Sequence, residues 1–159
     1  MDNEARYLAL GTEVPQGELS TEDSVRLGGT GLPYRQSDDL LFVQALPTEA
    51  GRPIFKGKLG GEVTLEQGNR AARKSAINAL AIARTALGSL DRIDYIAQLT
   101  GFIASVPGFT DQPKVLNGAT ELFVEVLGSD GEHNRAAIGC VSLPGDSPVQ
   151  VVVTIKLRS

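Results

Sequence analysis

Along the chain the apolar positions switch between strand-like runs and helical periods. Leu40-Leu41-Phe42-Val43-Gln44-Ala45-Leu46 is a short apolar run closed by Pro47, the form of a buried strand. Residues 48–53 hold Gly51 and Pro53 and read as a turn, with Ile54-Phe55-Lys56 as a short returning strand. Residues 64–87 read as a helix. Thr64-Leu65-Glu66-Gln67 fits a capping box, in which a hydroxyl and an amide satisfy backbone donors that the first turn leaves free. Ala72, Ala76, Ala79, Leu80, Ala83 and Leu87 follow at helical spacing up to Gly88. A stripe so rich in alanine predicts very close packing. Residues 93–106 read as a strand, with Gly101 marking a bulge or a close backbone approach. Pro107-Gly108 turns the chain into a second helix. It begins near Thr110 or Asp111, carries Pro113 in its first turn, and buries Leu116, Ala119, Phe123 and Leu127 before Gly128. Residues 136–143 and 149–157 read as two strands around the turn Pro144-Gly145-Asp146-Ser147-Pro148. Consecutive Val151, Val152 and Val153 predict a last strand covered on both faces.

Before this patterned region, residues 4–10 allow one or two helical turns stopped by Gly11. A loop rich in Gly, Pro, Ser and Thr follows, ending in Gly28-Gly29-Thr30-Gly31-Leu32-Pro33. Residues 1–35 therefore read as an arm or irregular cover, and residues 36–159 as one domain. The order of strands, helix, strand, helix, strand, strand predicts an α+β fold with two helices on one sheet face. The apolar strands exceed what two helices cover, so a sheet face is expected to meet another subunit.

Composition removes several function classes. At 159 residues, 42% hydrophobic and 21% charged, the chain is neither a disordered tail nor a membrane protein. No apolar run approaches the ~20 residues a membrane span requires. Met1-Asp2-Asn3-Glu4 shows no basic leader, so a cytoplasmic location is expected. One cysteine and one histidine supply neither an internal disulfide nor a metal-ligand set, and no metal is expected. The net charge is −4, and the one basic cluster, Arg70, Arg73 and Lys74, reads as a solvated helix face. With no Trp, five Phe and three Tyr, there is little for base stacking, and nucleic acid is not an expected partner.

Few residues suggest chemistry. Gly51 and Gly57-Lys58 are separated by five residues where a phosphate loop needs four, and Leu59 stands where a Ser or Thr would bind magnesium, so this is an ordinary glycine-rich turn. His133, in Ser129-Asp130-Gly131-Glu132-His133, reads as a solvated loop histidine without a nucleophile to serve. Cys140, among apolar strand residues, reads as a buried inert thiol. Arg135 opens the penultimate strand before a continuous apolar stretch. Its chemistry fits either a surface salt bridge or a planar fork for a carboxylate.

A longer pattern surrounds Arg135. Arg135-Ala-Ala-Ile-Gly-Cys-Val-Ser-Leu143-Pro144 resembles the signature of the Rid/YjgF family, the reactive intermediate deaminases: an arginine, seven residues, Leu-Pro, then a final strand. Thr100-Gly101-Phe102, Pro107-Gly108-Phe109 and Asp111-Gln112-Pro113-Lys114-Val115-Leu116-Asn117-Gly118 are similar to a longer-chain branch of that family. The resemblance implies a chorismate-mutase-like α+β fold with a mixed sheet, a homotrimer with clefts between subunits, and no metal or organic cofactor. The implied ligand is a small carboxylate-bearing enamine or imine, hydrolysed to a 2-oxo acid and ammonia, or steered through tautomerisation or cyclisation. The alternative is a regulatory trimer that binds without deaminating. By resemblance Arg135 holds the carboxylate, Asn117 lies near the cleft and Tyr34 at its rim. Val43, Gln44 and Cys140 are placed with the binding residues. Two positions depart from the pattern. Val43-Gln44-Ala45-Leu46-Pro47 stands where family members carry Ser-Gly-Gln-Leu-Pro, and Gln150 stands fifteen positions after Arg135, where the deaminases carry a water-orienting glutamate. Gln150 is grouped with Arg135 as the candidate catalytic pair.

Overall fold

Two helical crossovers make three of the five sheet strands run the same way. The computed structural model describes residues 2–15 and 29–159. After α1 (Asn3–Leu8) come β1 (Tyr34–Ser37), β2 (Leu40–Ala45), β3 (Thr48–Glu49), β4 (Arg52–Pro53), α2 (Leu65–Leu87), β5 (Ile93–Ala104), α3 (Gln112–Leu127), β6 (Asn134–Cys140) and β7 (Val149–Leu157). The five-stranded sheet has the order β1-β2-β7-β5-β6. Helix α3 carries the chain back to the start of the sheet, so β6 runs parallel to β5; β7 slots between β2 and β5, antiparallel to both. The sheet is mixed, with both long helices on one face.

The alanine stripe of α2 behaves as its spacing predicts: Ala72, Ala76, Ala79, Leu80 and Ala83 are fully buried. Thr64 accepts from the Gln67 amide N–H at 3.1 Å while the Gln67 side chain accepts from Thr64 N–H at 3.0 Å, completing the capping box. Thr64→Ala is expected to cost about 1 kcal/mol, read as a lower urea midpoint with an unchanged slope. Helices α2 and α3 touch so closely at Gly118 that a Cβ there would lie 2.1 Å from the Asn69 carbonyl oxygen.

Three expectations change, and one open alternative, at Gly101, is decided. Residues 136–143 were too far along for the sixth strand: β6 starts at Asn134 and takes in Arg135. The hairpin after Pro47 closes at once, because Ala50 and Gly51 both adopt positive φ in a two-residue turn that pairs Thr48 with Pro53. Ile54-Phe55-Lys56 is therefore outside the strands. Gly101 marks a close approach, where a Cβ would lie 2.4 Å from Leu116 Cδ1, while the bulges of β5 fall between Ile93 and Tyr95 and between Ile96 and Gln98. Finally, β7 is covered on one face only: Val151 and Val153 are buried under the helices, but Val152 is 40% exposed on the other side.

Strand β1 has no apolar signal, since all four of its residues are exposed, and the chain enters it where only the end of a loop is expected. The expected early helix is α1, held by Asn3 and Tyr7, both buried; the Tyr7 hydroxyl donates to the Ile77 carbonyl at 3.3 Å. Much of the expected loop after it lies outside the described residues. Among the described residues no helix is long and apolar enough to cross a membrane.

Candidate functional site

Arg135 is the second residue of β6, an edge strand, and α3 crosses directly over it. Pro113 is in the first turn of that helix, and Asn117 and Thr120, three residues apart, share one of its faces. The Arg135 guanidinium donates through Nη1 to Thr120 Oγ1 at 3.0 Å. Through Nη2 it donates to Asn117 Oδ1 at 2.8 Å and to the Pro113 carbonyl at 3.3 Å. All three acceptors are uncharged. Of the two chemistries its sequence allowed, the salt bridge is not made among the described residues, where no carboxylate forms an ion pair with Arg135. A guanidinium has five N–H donors, and three bonds leave two for a ligand. A half-buried cation with neutral partners and unused donors has the chemistry to bond an anion.

His133 differs from the solvated residue its loop suggests. It is half-buried, Nδ1 lies 2.6 Å from the Gly131 carbonyl oxygen, Nε2 lies 3.0 Å from Thr120 Oγ1, and the ring meets Phe123 edge-on at 5.8 Å. The reason is the sharp turn Gly128–Gly131. Gly131 presses so tightly onto α3 that a Cβ would sit 2.3 Å from the Phe123 carbonyl, which swings the next residues under the helix. Burial, with the Arg135 charge, holds the imidazole below its ordinary pKa, against the Gly131 carbonyl, which favours the protonated ring.

The remaining candidates lie elsewhere. Gln150 points to the open face of the sheet, where its Nε2 donates to Gln44 Oε1 at 3.2 Å. Arg135 is on the helix side of the sheet, so the two do not meet within one chain. Tyr34 and Gln44, with Phe42 and Val152, line a shallow cavity of ≈ 210 Å³ at the β1 edge. Val43 borders that cavity but is 2% exposed, with its side chain in the core. Cys140 ends β6 opposite Ala104; it is a free, half-buried thiol whose pKa burial raises. The structure thus unites Arg135 with Asn117 and Gln150 with Gln44, and leaves Tyr34 at the sheet edge opposite β6.

Sequence reasoning missed Thr120 and the Pro113 carbonyl as partners of Arg135. The available signal was the Asn117-x-x-Thr120 spacing on one helix face. The basic cluster is also less free than expected: Arg73 bonds Glu13 at 2.8 Å and Glu125 at 2.7 Å, and Lys74 is nearly buried, 3.4 Å from Glu49. Lys58 N–H donates to Glu62 at 3.0 Å, so a carboxylate occupies the glycine-rich turn.

Comparison with known proteins places this chain in a family. The family model described as "YjgF/chorismate mutase-like, putative endoribonuclease" matches residues 4–157. Protein TCP17 of Trypanosoma cruzi is 38% identical over 156 residues, covering 98% of this chain and 94% of its own. The crystal structure of Atu1372 from Agrobacterium tumefaciens, a protein of unknown function, is 35% identical with a TM-score of 0.85, covering 98% of this chain and 92% of that one. The Escherichia coli TdcF structure with bound serine shares the fold at 18% identity and a TM-score of 0.63, covering 91% of this chain and all (100%) of that one.

Proposed function

The chain belongs to the YjgF/chorismate mutase-like (Rid) family, and on that premise we propose that Arg135 holds the carboxylate of a small enamine or imine in a cleft between subunits. The observation that carries this reading is the half-buried guanidinium held by Thr120, Asn117 and Pro113 with no carboxylate partner among the described residues. The serine bound by TdcF is likewise a small carboxylate. The charges of Arg73 and Lys74 are matched by Glu13, Glu125 and Glu49, which supports a small ligand over a nucleic-acid backbone.

The cleft is completed by a second copy in a homotrimer. Two features support this: Arg135 and Gln150 lie on opposite faces of the sheet, and the open face carries Phe42, Ile138 and Val152, each about two-fifths exposed. With the carboxylate held by Arg135, the C=N carbon of an imine is already electrophilic. Water adds to it, the C–N bond breaks, and ammonia leaves a 2-oxo acid; positioning supplies most of the rate. Gln150 can hold that water through its amide but cannot take its proton.

A second reading, a trimer that binds without deaminating, is favoured by one observation. Gln150 replaces an acid with an amide, and that amide is engaged by Gln44. Release of 2-oxo acid from enzymatically generated 2-aminoacrylate separates the two. Hydrolysis by wild type that is lost in Arg135→Ala supports the deaminase. A silent wild type that gains activity in Gln150→Glu supports the binder. Hydrolysis indifferent to Arg135→Ala contradicts both.

A further inference from the structure

A guanidinium without a counter-charge needs its plane fixed by neutral groups, and the bonds around Arg135 form a chain whose direction can be assigned. An arginine N–H can only donate, so Thr120 Oγ1 accepts from Nη1 at 3.0 Å. At the other end a carbonyl can only accept, so His133 Nδ1, 2.6 Å from the Gly131 oxygen, carries the proton. In the neutral ring Nε2 is then an acceptor, and the Thr120 hydroxyl, 3.0 Å away, donates its proton there. With its proton committed to the histidine, Thr120 turns lone-pair density toward Arg135. Every donor points the same way, from Arg135 through Thr120 and His133 to the backbone at Gly131.

The surroundings keep the ring neutral. Helix α3 presents Thr120 and Phe123 to it, neither of them charged. The turn before β6 presents the Gly131 carbonyl, while that turn's carboxylate, Asp130, pairs with Arg158 at 3.2 Å. Glu132 is exposed, and on β6 the charge that reaches the ring is that of Arg135 itself.

We propose that His133 and Thr120 are positioning residues: neutral His133, protonated on Nδ1, holds the Thr120 hydroxyl in the orientation that aims Arg135 at the ligand carboxylate. The proposal rests on the reading of Arg135 as the carboxylate clamp. It assigns a role to the chain's one histidine that neither touches the ligand nor transfers a proton to it.

The test combines nitrogen NMR of the imidazole with calorimetric titration of the full-length protein with pyruvate, a small 2-oxo acid. Since the chain has a single histidine, its ring signals need no assignment. At neutral pH they are expected to show the Nδ1–H tautomer, and the Nε2–H tautomer would overturn the chain of bonds. Thr120→Val, which keeps the β-branched shape, is expected to weaken pyruvate binding roughly tenfold, and Thr120→Ser to restore it. His133→Phe is expected to weaken binding similarly, and the Thr120→Val/His133→Phe double variant no further, because the two act as one unit. Binding unchanged in Thr120→Val, or unrescued by Thr120→Ser, overturns the positioning role while leaving the clamp intact, provided Arg135→Ala still abolishes binding. Wild type that binds no carboxylate overturns the clamp itself, and the positioning role with it.

Discussion

Arg135→Ala is expected to lower affinity for a small 2-oxo acid by about a hundredfold or more, with little change in thermal stability. The side chain is half-buried, its acceptors are neutral, and no ion pair among the described residues is broken when it is removed. What disappears is a pair of charge-assisted hydrogen bonds to the ligand, each worth about 1.5–3 kcal/mol. Arg135→Lys separates charge from geometry. An ammonium keeps the positive charge but cannot bond Thr120, Asn117 and a carboxylate in one plane, so an intermediate loss of roughly tenfold is expected. A panel of amides matched in size to the 2-oxo acids provides the control, because it should bind poorly to wild type and be insensitive to both substitutions. Equal affinity of Arg135→Ala and wild type for the acids would remove the clamp from the account of this protein.

The largest effect on stability is expected at Gly118. A methyl group there would lie 2.1 Å from the Asn69 carbonyl oxygen and 3.0 Å from its carbon, both backbone atoms of α2 that cannot rotate away. The two helices must part, and Gly118→Ala is expected to cost about 3 kcal/mol, or roughly 10 °C in melting temperature. Gly101→Ala makes the instructive comparison, since its nearest neighbour is the end of the Leu116 side chain at 2.4 Å. Leu116 can shift its rotamer, so a smaller loss is expected. Because Asn117 and Thr120 flank Gly118 on α3, Gly118→Ala should also weaken ligand binding where Gly101→Ala does so less. Equal melting temperatures for Gly118→Ala and wild type would contradict the close helix contact.

The parts of this fold legible in the sequence are those where local chemistry and tertiary packing demand the same residues. Helix α2 is written twice, once in its Thr64/Gln67 cap and once in its alanine stripe, and both survive folding unchanged. Strand β7 shows its limits: three consecutive valines look alike in sequence, yet Val152 faces away from the helices that bury its neighbours. Strand β1 was illegible because Tyr34-Arg-Gln-Ser37 is exposed throughout and owes its conformation to pairing with β2.

The site was legible in the same uneven way. Arg135 stood out by its position before an apolar strand and by its Leu143-Pro144 sequel, and the structure brings Asn117 to it. His133 was misread because its loop is polar; its burial comes from Gly131 pressed against α3, a contact with no local signature. The Gln44–Gln150 contact joins residues 106 positions apart. Its meaning depends on what lies across the open face of the sheet, which one chain's periodicity does not encode.

The most direct measurement is a crystal structure of the protein grown with pyruvate. The expected result is the pyruvate carboxylate on the Arg135 guanidinium, with Thr120 and Asn117 still bonded behind it and a second copy closing the cleft. Pyruvate seated elsewhere, with Arg135 turned to solvent or paired to a carboxylate of a neighbouring subunit, would contradict the clamp.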